Sequence, residues 1–366
     1  GKERKNMEFV VFAGVLLLLF IFMIVQELIQ TKNQEKLFKK YLRENYGKEP
    51  PKEYSLERFA RLGSYLERHK EEKQLDDITW NDLGMDEVFR RIDRTYSAAG
   101  EEYLYYTLRN ISCGREALEH LEEVVNWLQE QENIKVRIQL LMKRLGHLGK
   151  YSLYDYLDNL DYLGERSNRK IVLGNLLYLP FLLLLFVQPA MGTIGIVLCM
   201  LWHIMTYFRE KKVIEPYIIS FAYVLRLIDV CEELEKQKIP VYRRELDELR
   251  EALKSLRELR RGAYWVMAGN QGKIGGNPLD ILADYLRMIL HLDIFQFNRM
   301  LEKLRKKTGQ VETMLAITGY LDMAISVGGF RKSLEGYCIP KLEEDTEKAF
   351  LHMKKGWHPL VSQPVK

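Results

Sequence analysis

A glycine-rich stretch, GNQGKIGGNP (residues 269–278), is the closest approach in this sequence to a phosphate-binding loop. Such a loop has the form G-x-x-x-x-G-K-[ST], because backbone N–H groups hold the phosphates and the Ser or Thr hydroxyl holds magnesium. Here Gly272 and Lys273 are followed by Ile274, and Met267 stands where the first glycine would be. The motif fails at both ends, so we predict a loop between helices at this point.

A second candidate is a group of five basic residues that surrounds a single acid, Glu302. The five are Arg299, Lys303, Arg305, Lys306 and Lys307. They could contact the phosphates of nucleic acid or of anionic lipid. They could also form the solvated end of a helix, where the helix dipole favours cations, and the sequence favours this interpretation. The net charge of +4 is too small to indicate nucleic acid by itself.

The sequence contains no recognisable motif for a metal site or for a catalytic nucleophile. The seven histidines are scattered, without H-E-x-x-H or a cysteine at ligand spacing. There is no G-x-S-x-G and no recognisable Ser-His-Asp arrangement. The sequence therefore predicts no catalytic residue, no metal site and no cofactor site in this chain. The four cysteines are far apart and are predicted to be reduced cytoplasmic thiols: Cys113, Cys199, Cys231 and Cys338.

Three apolar runs interrupt a chain that is otherwise rich in charge: Phe9–Val25, Ile171–Val187 and Ala190–Phe208. As a helix, each run covers about 25 to 29 Å, which is close to the hydrocarbon thickness of a bilayer. A buried core helix is the alternative for a single run, and no signal-peptidase site follows the first. We predict three transmembrane helices, one N-terminal anchor and one hairpin. His203, inside the third run, could mark a functional site or reach the headgroup region.

Basic residues flank the spans on the side of the soluble segments, and such flanks are typical of the cytoplasmic face. They are Lys32, Lys36, Lys39, Lys40 and Arg43 after the first span, Arg166, Arg169 and Lys170 before the second, and Arg209, Lys211 and Lys212 after the third. We therefore expect a multi-pass protein of the lipid bilayer whose soluble parts are cytoplasmic. Residues 1–6 would lie on the opposite side despite their own basic residues.

The remaining sequence reads as helix. Between residues 31 and 165 apolar residues recur at spacings of three and four, as in Val88, Phe89 and Ile92. After the third span a helix is predicted to continue to a break at Pro240. A heptad-like stripe then follows: Tyr242, Leu246, Leu249, Leu253 and Leu256. Only YCIPKL and HPLV, near the end, favour short strands, so the predicted fold class is all-α with long helices.

The segment IDRTYSAAGEEYLYYTLRN (residues 92–110) resembles the opening of the core domain of the MutS family, the DNA mismatch-recognition ATPases. The family's Asp-Arg-Thr, its small-residue glycine step and its Leu-rich helix are similar to Asp93, Arg94 and Thr95, then Ala99 and Gly100, then Tyr103, Leu104 and Leu108.

A later block, VETMLAITGYLDMAISVGGF (residues 311–330), is similar to the helix that returns to the ATPase of that family. It carries Leu321 and Asp322, and then Ala324 and Ser326 on its small-residue face. The tail resembles the family's lead-in to its nucleotide-binding domain, through YCIP (residues 337–340) and then Gly356, His358 and Pro359. In all, the resemblance covers roughly residues 76–166 and 276–361.

In the MutS family the core is a helical lever whose long helices rise to a clamp that grips DNA, and an ATPase that follows dimerises around two nucleotides. The resemblance implies ATP and Mg²⁺ in a domain that would start shortly after Lys366, a homodimer, and double-stranded DNA as a partner. We accordingly expect a fragment that is not an enzyme by itself, cut from a parent that is an ATPase.

The sequence departs from that family in two ways. No Phe-x-Glu reading head is visible, and the apolar hairpin lies where the rising helix would pass to the clamp. Our hypothesis is that the hairpin replaces the clamp, so that the helices of residues 115–170 and 209–262 are lever arms with their tips in the bilayer. The alternative is a membrane-anchored helical scaffold or sensor that binds a protein partner and no DNA.

The expected organisation has seven segments: an anchor (1–30), a helical linker (31–75), the first part of the MutS-like core (76–170), the transmembrane hairpin (171–208), long lever helices (209–262), the second part of the core (263–345) and the lead-in to the missing ATPase domain (346–366).

Overall fold

In a computed structural model of the chain, the described residues are 29–48, 54–71, 73–111, 114–148, 152–260 and 285–341, with isolated residues at 22–26 and 351–360. The chain divides into two compact units, Gly1–Lys48 and Glu49–Lys366. In the first unit, helix α1 covers residues 29–45. The predicted anchor, Phe9–Val25, lies almost wholly outside the described residues, as does the glycine-rich stretch 269–278.

The second unit is built from helices. They are α2 (Leu56–Arg68), α3 (Asp77–Asp82), α4 (Met85–Ile92), α5 (Ala98–Arg109), α6 (Arg115–Glu130), α7 (Glu132–Leu145), α8 (Leu153–Asp158), α9 (Arg169–Leu176), α10 (Tyr178–Val187), α11 (Pro189–Glu235), α12 (Arg243–Leu256), α13 (Leu292–Arg305) and α14 (Thr308–Ser333). Short 3-10 turns occupy Asn159–Leu163, Pro240–Tyr242 and Arg257–Arg260, and residues 285–290 are helical before α13.

The helix starts follow from polar caps that the sequence supplies. The side chain of Ser55 accepts from the backbone N–H of Arg58 at the start of α2, and Asp76 accepts from that of Thr79 at the start of α3. Ser152 forms a capping box with Asp155 at the start of α8. Each cap satisfies a backbone donor that the first turn of a helix leaves without an intrahelical partner.

Helix α14 forms the centre of the core and packs against α5, α6, α7 and α12. Next to it lies an aromatic cluster: Leu62, Trp80, Phe89, Leu104, Tyr105 and Met323. The predicted heptad stripe of α12 is buried on the same core, with Leu249 and Leu256 fully inaccessible to solvent. The expected seam of α12 is therefore an intramolecular one, between α12 and α14.

The hairpin consists of α9, α10 and the first part of α11, with the turn at Gln188. Gly192 lies at the closest approach of α10 and α11, where an added Cβ would stand 2.7 Å from the backbone nitrogen of Leu185. Leu183, Phe186 and Val187 all expose more than half of their surface. Exposure of this kind is normal for a helix that faces lipid and abnormal for a soluble surface.

Three helical stretches of the described chain are long and apolar enough to cross a membrane: Arg169–Val187, Pro189–Glu235 and Thr308–Ser333. Their apolar windows are 6%, 28% and 72% buried inside the protein, respectively. The first two are the predicted hairpin, whose bare apolar surface marks the chain as membrane-associated. The third is α14, whose apolar residues are already covered by the core.

The all-α prediction is confirmed, since the described residues contain no strand and only one isolated bridge, between Gln74 and Asn110. The predicted strand YCIPKL is wrong over Tyr337–Lys341, which has no regular structure. The two segments predicted as lever arms fold in different ways. Residues 115–163 are divided among α6, α7, α8 and a 3-10 turn, and the half of α11 that follows the hairpin packs against α7 and α12.

Candidate functional site

The Asp-Arg-Thr motif forms a closed polar turn between α4 and α5. Asp93 is fully buried, and its Oδ1 accepts from the Thr95 backbone N–H at 2.9 Å and from the Thr95 hydroxyl at 2.6 Å. Its Oδ2 accepts from the hydroxyl of Tyr54. Buried polar groups of this kind are stable only when they are hydrogen-bonded to each other. The motif therefore fixes the path of the chain into α5.

Asp322 on α14 holds the next residues of the motif. Its Oδ2 accepts from the backbone N–H groups of Tyr96 and Ser97, at 3.0 and 2.9 Å, and from the Ser97 hydroxyl at 2.6 Å. Ser97 in turn caps α5, because its Oγ accepts from the Gly100 backbone N–H at 3.1 Å. The fully buried Asp322 carboxylate thus accepts hydrogen bonds from the donors at the start of α5, which lies 225 residues earlier in the chain.

Small residues allow this approach. A Cβ at Gly100 would collide with the Asp322 carboxylate, and a Cβ at Gly319 would stand 2.6 Å from the carbonyl oxygen of Ala99. One turn further along α14, the hydroxyl of Ser326 accepts from the Arg94 backbone N–H at 2.7 Å and donates to the Ile92 carbonyl at 2.8 Å. We name Asp93, Thr95, Ser97, Asp322 and Ser326 the core junction.

Arg94 contributes its backbone to the core junction, while its guanidinium points elsewhere. Its Nη1 donates to the Arg91 carbonyl at 2.7 Å, and the guanidinium lies over the Phe330 ring at 5.6 Å. The structure thus brings together Asp93, Thr95, Gly100 and Asp322 of the residues singled out in the sequence. Arg94 is adjacent to them, and His358 and Pro359 lie outside the described residues.

A second buried group surrounds Glu101, which the sequence patterns did not reveal. This fully buried carboxylate pairs with Arg58, with Arg61 at 3.1 Å and with His147 at 2.9 Å. The signal was present in the sequence as two adjacent acids in an otherwise apolar helix, and as two arginines three residues apart on one face of α2. The cluster neutralises a charge that burial alone would make costly.

Glu102, the next residue, is buried with fewer partners. Its carboxyl accepts from the Ser152 hydroxyl, at 2.9 Å to each oxygen. Burial raises the pKa of Glu102 from 4.5 to about 8, against the opposing effects of the Ser152 hydrogen bond and of the Arg61 charge. This carboxyl is therefore predominantly protonated at neutral pH, in contrast to a normal surface glutamate.

The five-residue basic group lies at the C-terminal end of α13. Arg305 donates to the Leu160 carbonyl at 2.6 Å, and Lys307 donates to the Ser255 carbonyl. Lys306 pairs with Glu302 at 3.9 Å, while Arg299 is exposed and Lys303 half-buried. Two of the five cations thus hold neighbouring backbone segments in place, which agrees with the helix-end interpretation and leaves a smaller surface for phosphates.

The base of the hairpin carries a polar group of its own. Tyr207 donates to Asp293 at 2.7 Å and accepts from Lys211 at 3.0 Å, and the His203 and His291 rings lie 5.4 Å apart. Burial, reinforced by His203, lowers the pKa of His291. His291 has a φ of 54° at the break before α13, a conformation that is uncommon for a residue other than glycine.

Residues before and within α13 bind this base further. Asn175 donates to the Leu290 carbonyl at 3.1 Å, Asn168 donates to the Phe295 carbonyl at 3.0 Å, and Asn298 donates to the Asn168 side chain at 2.9 Å. The ring of Phe297, on the same helix, packs on Phe221 of α11 at 4.8 Å. Helix α13 therefore contacts both the hairpin base and the buried half of α11.

Most of the buried polar groups described above are occupied with one another. Within the hairpin, the Cys199 thiol lies 3.6 Å from the His203 ring, one turn along α11, and both side chains are buried. Within the described residues, no group of three His, Cys, Asp or Glu side chains could hold a metal ion. The arrangement can fix helix positions and transmit displacement between them. Comparisons with protein-family models, with curated proteins and with solved structures returned no match to this chain.

Proposed function

We propose that this chain is the membrane-tethered lever and core portion of a MutS-like protein, in which movement passes between a bilayer-embedded hairpin and the helical core. The observation that carries the proposal is α11, a single helix of 47 residues that starts in the hairpin and ends in the core. On either side of Pro216, the backbone hydrogen bonds of the helix resist bending, so each part can transmit tilt and displacement along its own length.

Burial along α11 changes at the point where a lever would have its pivot. Val213 is 56% exposed, whereas Ile214 is fully buried, and most of the apolar residues that follow are buried up to Leu234. Pro216 lies at this transition and lacks the N–H that would bond to residue 212. A proline inside a helix lowers its local stiffness, so we place the pivot here.

The core junction supports the MutS-like part of the proposal. The resemblance implies that residues 76–166 and 276–361 form one domain, although the hairpin lies between them in the sequence. Asp322 and Ser326 of the later block bind the backbone of residues 94–97 of the earlier block directly. Two sequence fragments that carry the resemblance are therefore one structural unit.

A distance measurement on the full-length protein in nanodiscs tests the lever. Spin labels at Arg209 and Glu130, both exposed, report the position of α11 against α6. We expect the distance to change when nucleotide is added, and insertion of four glycines after Lys212 to abolish the change. A distance that is insensitive to nucleotide before and after the insertion supports the scaffold alternative instead.

The gene sequence that follows the codon for Lys366 tests whether a nucleotide-binding domain is coupled to this chain. Residues 1–366 contain no complete G-x-x-x-x-G-K-[ST], so ATP and Mg²⁺ would have to bind outside them. We propose that such a loop is encoded within a few dozen codons after Lys366. A stop codon in that interval contradicts ATP coupling in this chain and favours the scaffold or sensor alternative.

We also propose that the hairpin takes the place of the DNA clamp. The basic group supports this, because Arg305 and Lys307 hold backbone carbonyls of the core. Labelled duplex DNA added to the full chain in nanodiscs should stay unbound between 50 and 200 mM salt. Binding that weakens steeply with salt would contradict the replacement, since release of counterions from phosphate contacts produces that dependence.

For the membrane, we propose a multi-pass arrangement with the core on the cytoplasmic side. The basic flanks of the hairpin support it, and Arg166 and Glu210 pair across its base. Cys338 is an exposed thiol on the core and serves as the reporter. A membrane-impermeant maleimide should label Cys338 in inside-out vesicles only. Labelling in right-side-out vesicles would show that the core lies on the opposite side of the membrane.

A further inference from the structure

A cavity on the core is lined in part by the first half of α14, on the N-terminal side of the core junction, and the lever proposal does not use it. Its volume is about 390 Å³, within the range of small-ligand sites. The residues that line it come from the end of α2, from α5, α6, α12 and α14, and from the turn before α12. They include Tyr242, Tyr320, His120, Glu245, Glu248 and Glu312.

Aromatic rings form one wall of this cavity. Tyr242 and Tyr320 are stacked with centroids 5.4 Å apart and planes at 12°, and His120 is stacked on Tyr320 at 5.8 Å. Tyr103 meets Tyr320 edge-on at 5.7 Å. Tyrosine faces carry negative potential and attract cations that come within about 6 Å of the ring centroid.

The wall is held rigidly by the core. The Tyr242 hydroxyl donates to the Ile317 carbonyl at 3.2 Å, and the ring of Tyr242 is 2% exposed. Because α12 and α14 are packed along their lengths, the rings keep their positions without a ligand. A preformed aromatic wall reduces the entropy lost when a ligand binds.

The charges around the wall are acidic. Three glutamates line the cavity, and the described lining contains no lysine or arginine. Glu312 pairs with Arg68 at 2.7 Å, and Glu245 contacts His120 at 3.2 Å, so these two are held in place at the rim. Glu248 is exposed on the same face of α12 as Glu245. Carboxylates beside aromatic faces recognise ammonium and guanidinium groups, and they repel anions.

We propose that this cavity binds an organic cation, with an alkylammonium or guanidinium group held over Tyr320 and His120 and paired with Glu245 and Glu248. The cation could belong to a free small amine or to a basic side chain of a peptide. Phosphate-containing ligands are a poor match, because the same three glutamates would face them.

Isothermal titration of the full chain in nanodiscs tests the site with two probes, agmatine as the free cation and a blocked tripeptide with a central arginine. We expect millimolar or tighter binding of at least one, and the preferred probe identifies the source. Glutarate, a dicarboxylate without an ammonium group, is the anionic control and should show no heat. Absence of binding by both cations, or equal binding of the anion, overturns the proposal.

Three variants locate the binding. Glu248→Gln changes an exposed residue and should weaken the cation about tenfold without unfolding the core, which corresponds to about 1.4 kcal/mol. Tyr320→Leu should weaken it further, and circular dichroism checks that the helices are retained. The matched control is Glu302→Gln, on an exposed part of α13. Equal affinity in Glu248→Gln and the unsubstituted protein places the cation elsewhere and overturns the site.

Discussion

Helix α14 and the hairpin are both apolar enough to cross a membrane, yet they have opposite surroundings. In α14 the apolar window is 72% buried by protein, whereas in Arg169–Val187 it is 6% buried. The α14 window is covered by neighbouring helices, and the hairpin leaves its leucines and phenylalanines bare. Apolar length alone therefore does not distinguish a core helix from a membrane helix.

The polar residues within each helix make the distinction. Helix α14 carries Asp322 and Ser326, both fully buried and bonded to the α4–α5 turn. The hairpin stretch 171–208 has no charged side chain. A buried carboxylate needs dedicated donors, which a folded core supplies and a lipid environment does not. An ionisable residue in an apolar run thus indicates a partner segment elsewhere in the chain.

The largest expected effect concerns pH and should separate the two regions. The Glu102 carboxyl has its pKa raised from 4.5 to about 8, so the folded state binds its proton more tightly than the unfolded state does. The protonated Glu102 carboxyl therefore makes its full contribution to core stability below pH 4.5, and this contribution is lost as the pH rises to about 8. The largest possible decrease in the free energy of unfolding from this group is about 5 kcal/mol, at about 1.36 kcal/mol for each pKa unit.

Glu102→Gln should remove most of this fall, because the amide stays neutral at every pH. Denaturant unfolding of the full chain in detergent at pH 5.5 and pH 8.5 measures it, with Glu302→Gln as an exposed control. Insertion of the hairpin, followed by flotation with vesicles, should be the same at both pH values. An unchanged pH dependence in Glu102→Gln contradicts the protonated carboxyl.

The next largest effect is expected at the core junction. Asp322→Ala leaves the Tyr96 and Ser97 backbone N–H groups and the Ser97 hydroxyl buried without their acceptor. At about 1 to 3 kcal/mol for each such group, the free energy of unfolding should fall by roughly 4 kcal/mol. Asp247→Ala, on the exposed face of α12, should change it by less than about 0.5 kcal/mol. Equal losses in the two variants would show that Asp322 does not hold the α5 start.

The same substitution in the two apolar helices sharpens the comparison directly. Leu321 on α14 is 0% exposed, and Leu183 on α10 is 68% exposed. Leu321→Ala should destabilise the core by about 3 kcal/mol, because it leaves a cavity. Leu183→Ala should leave core unfolding unchanged, since no core residue loses a contact. Denaturant titration in detergent compares the two, and a similar loss in Leu183→Ala would mean that the hairpin folds together with the core.

Much of the architecture was predictable from the sequence. The hairpin, the helical character of the rest and the buried stripe of α12 followed from uncharged runs and from apolar spacing. The motif residues Asp93, Thr95, Gly100 and Asp322 were singled out by resemblance, but their mutual contacts depend on how α5 meets α14 in space. The Glu101 cluster and the aromatic cavity join several helices, so a local pattern shows single members, such as the adjacent acids of α5, and does not show the contacts between helices.

The strand assignment near the end of the chain failed for a physical reason. YCIPKL has strand-forming residues, but a strand needs a partner that Tyr337–Lys341 does not have among the described residues. The lever role of residues 115–170 and 209–262 stays a prediction, because local periodicity indicates helix and does not show how the helices pack. Residues 115–163 form short helices because their turns fall at Gln131 and Gly146, which end α6 and α7.

The smallest effect tests the close approach that places Asp322. Gly100→Ala puts a methyl group against the Asp322 carboxylate, and we expect a loss of about 2 kcal/mol through overpacking. Gly63, inside α2, is the matched control, since no neighbouring atom lies within 4 Å of an added Cβ. Gly63→Ala should instead stabilise the protein by about 0.5 to 1 kcal/mol, because alanine has the higher helix propensity. Thermal unfolding of both variants shows whether each substitution stabilises or destabilises the protein. Stabilisation by Gly100→Ala would mean that α5 and α14 lie further apart than the core junction requires.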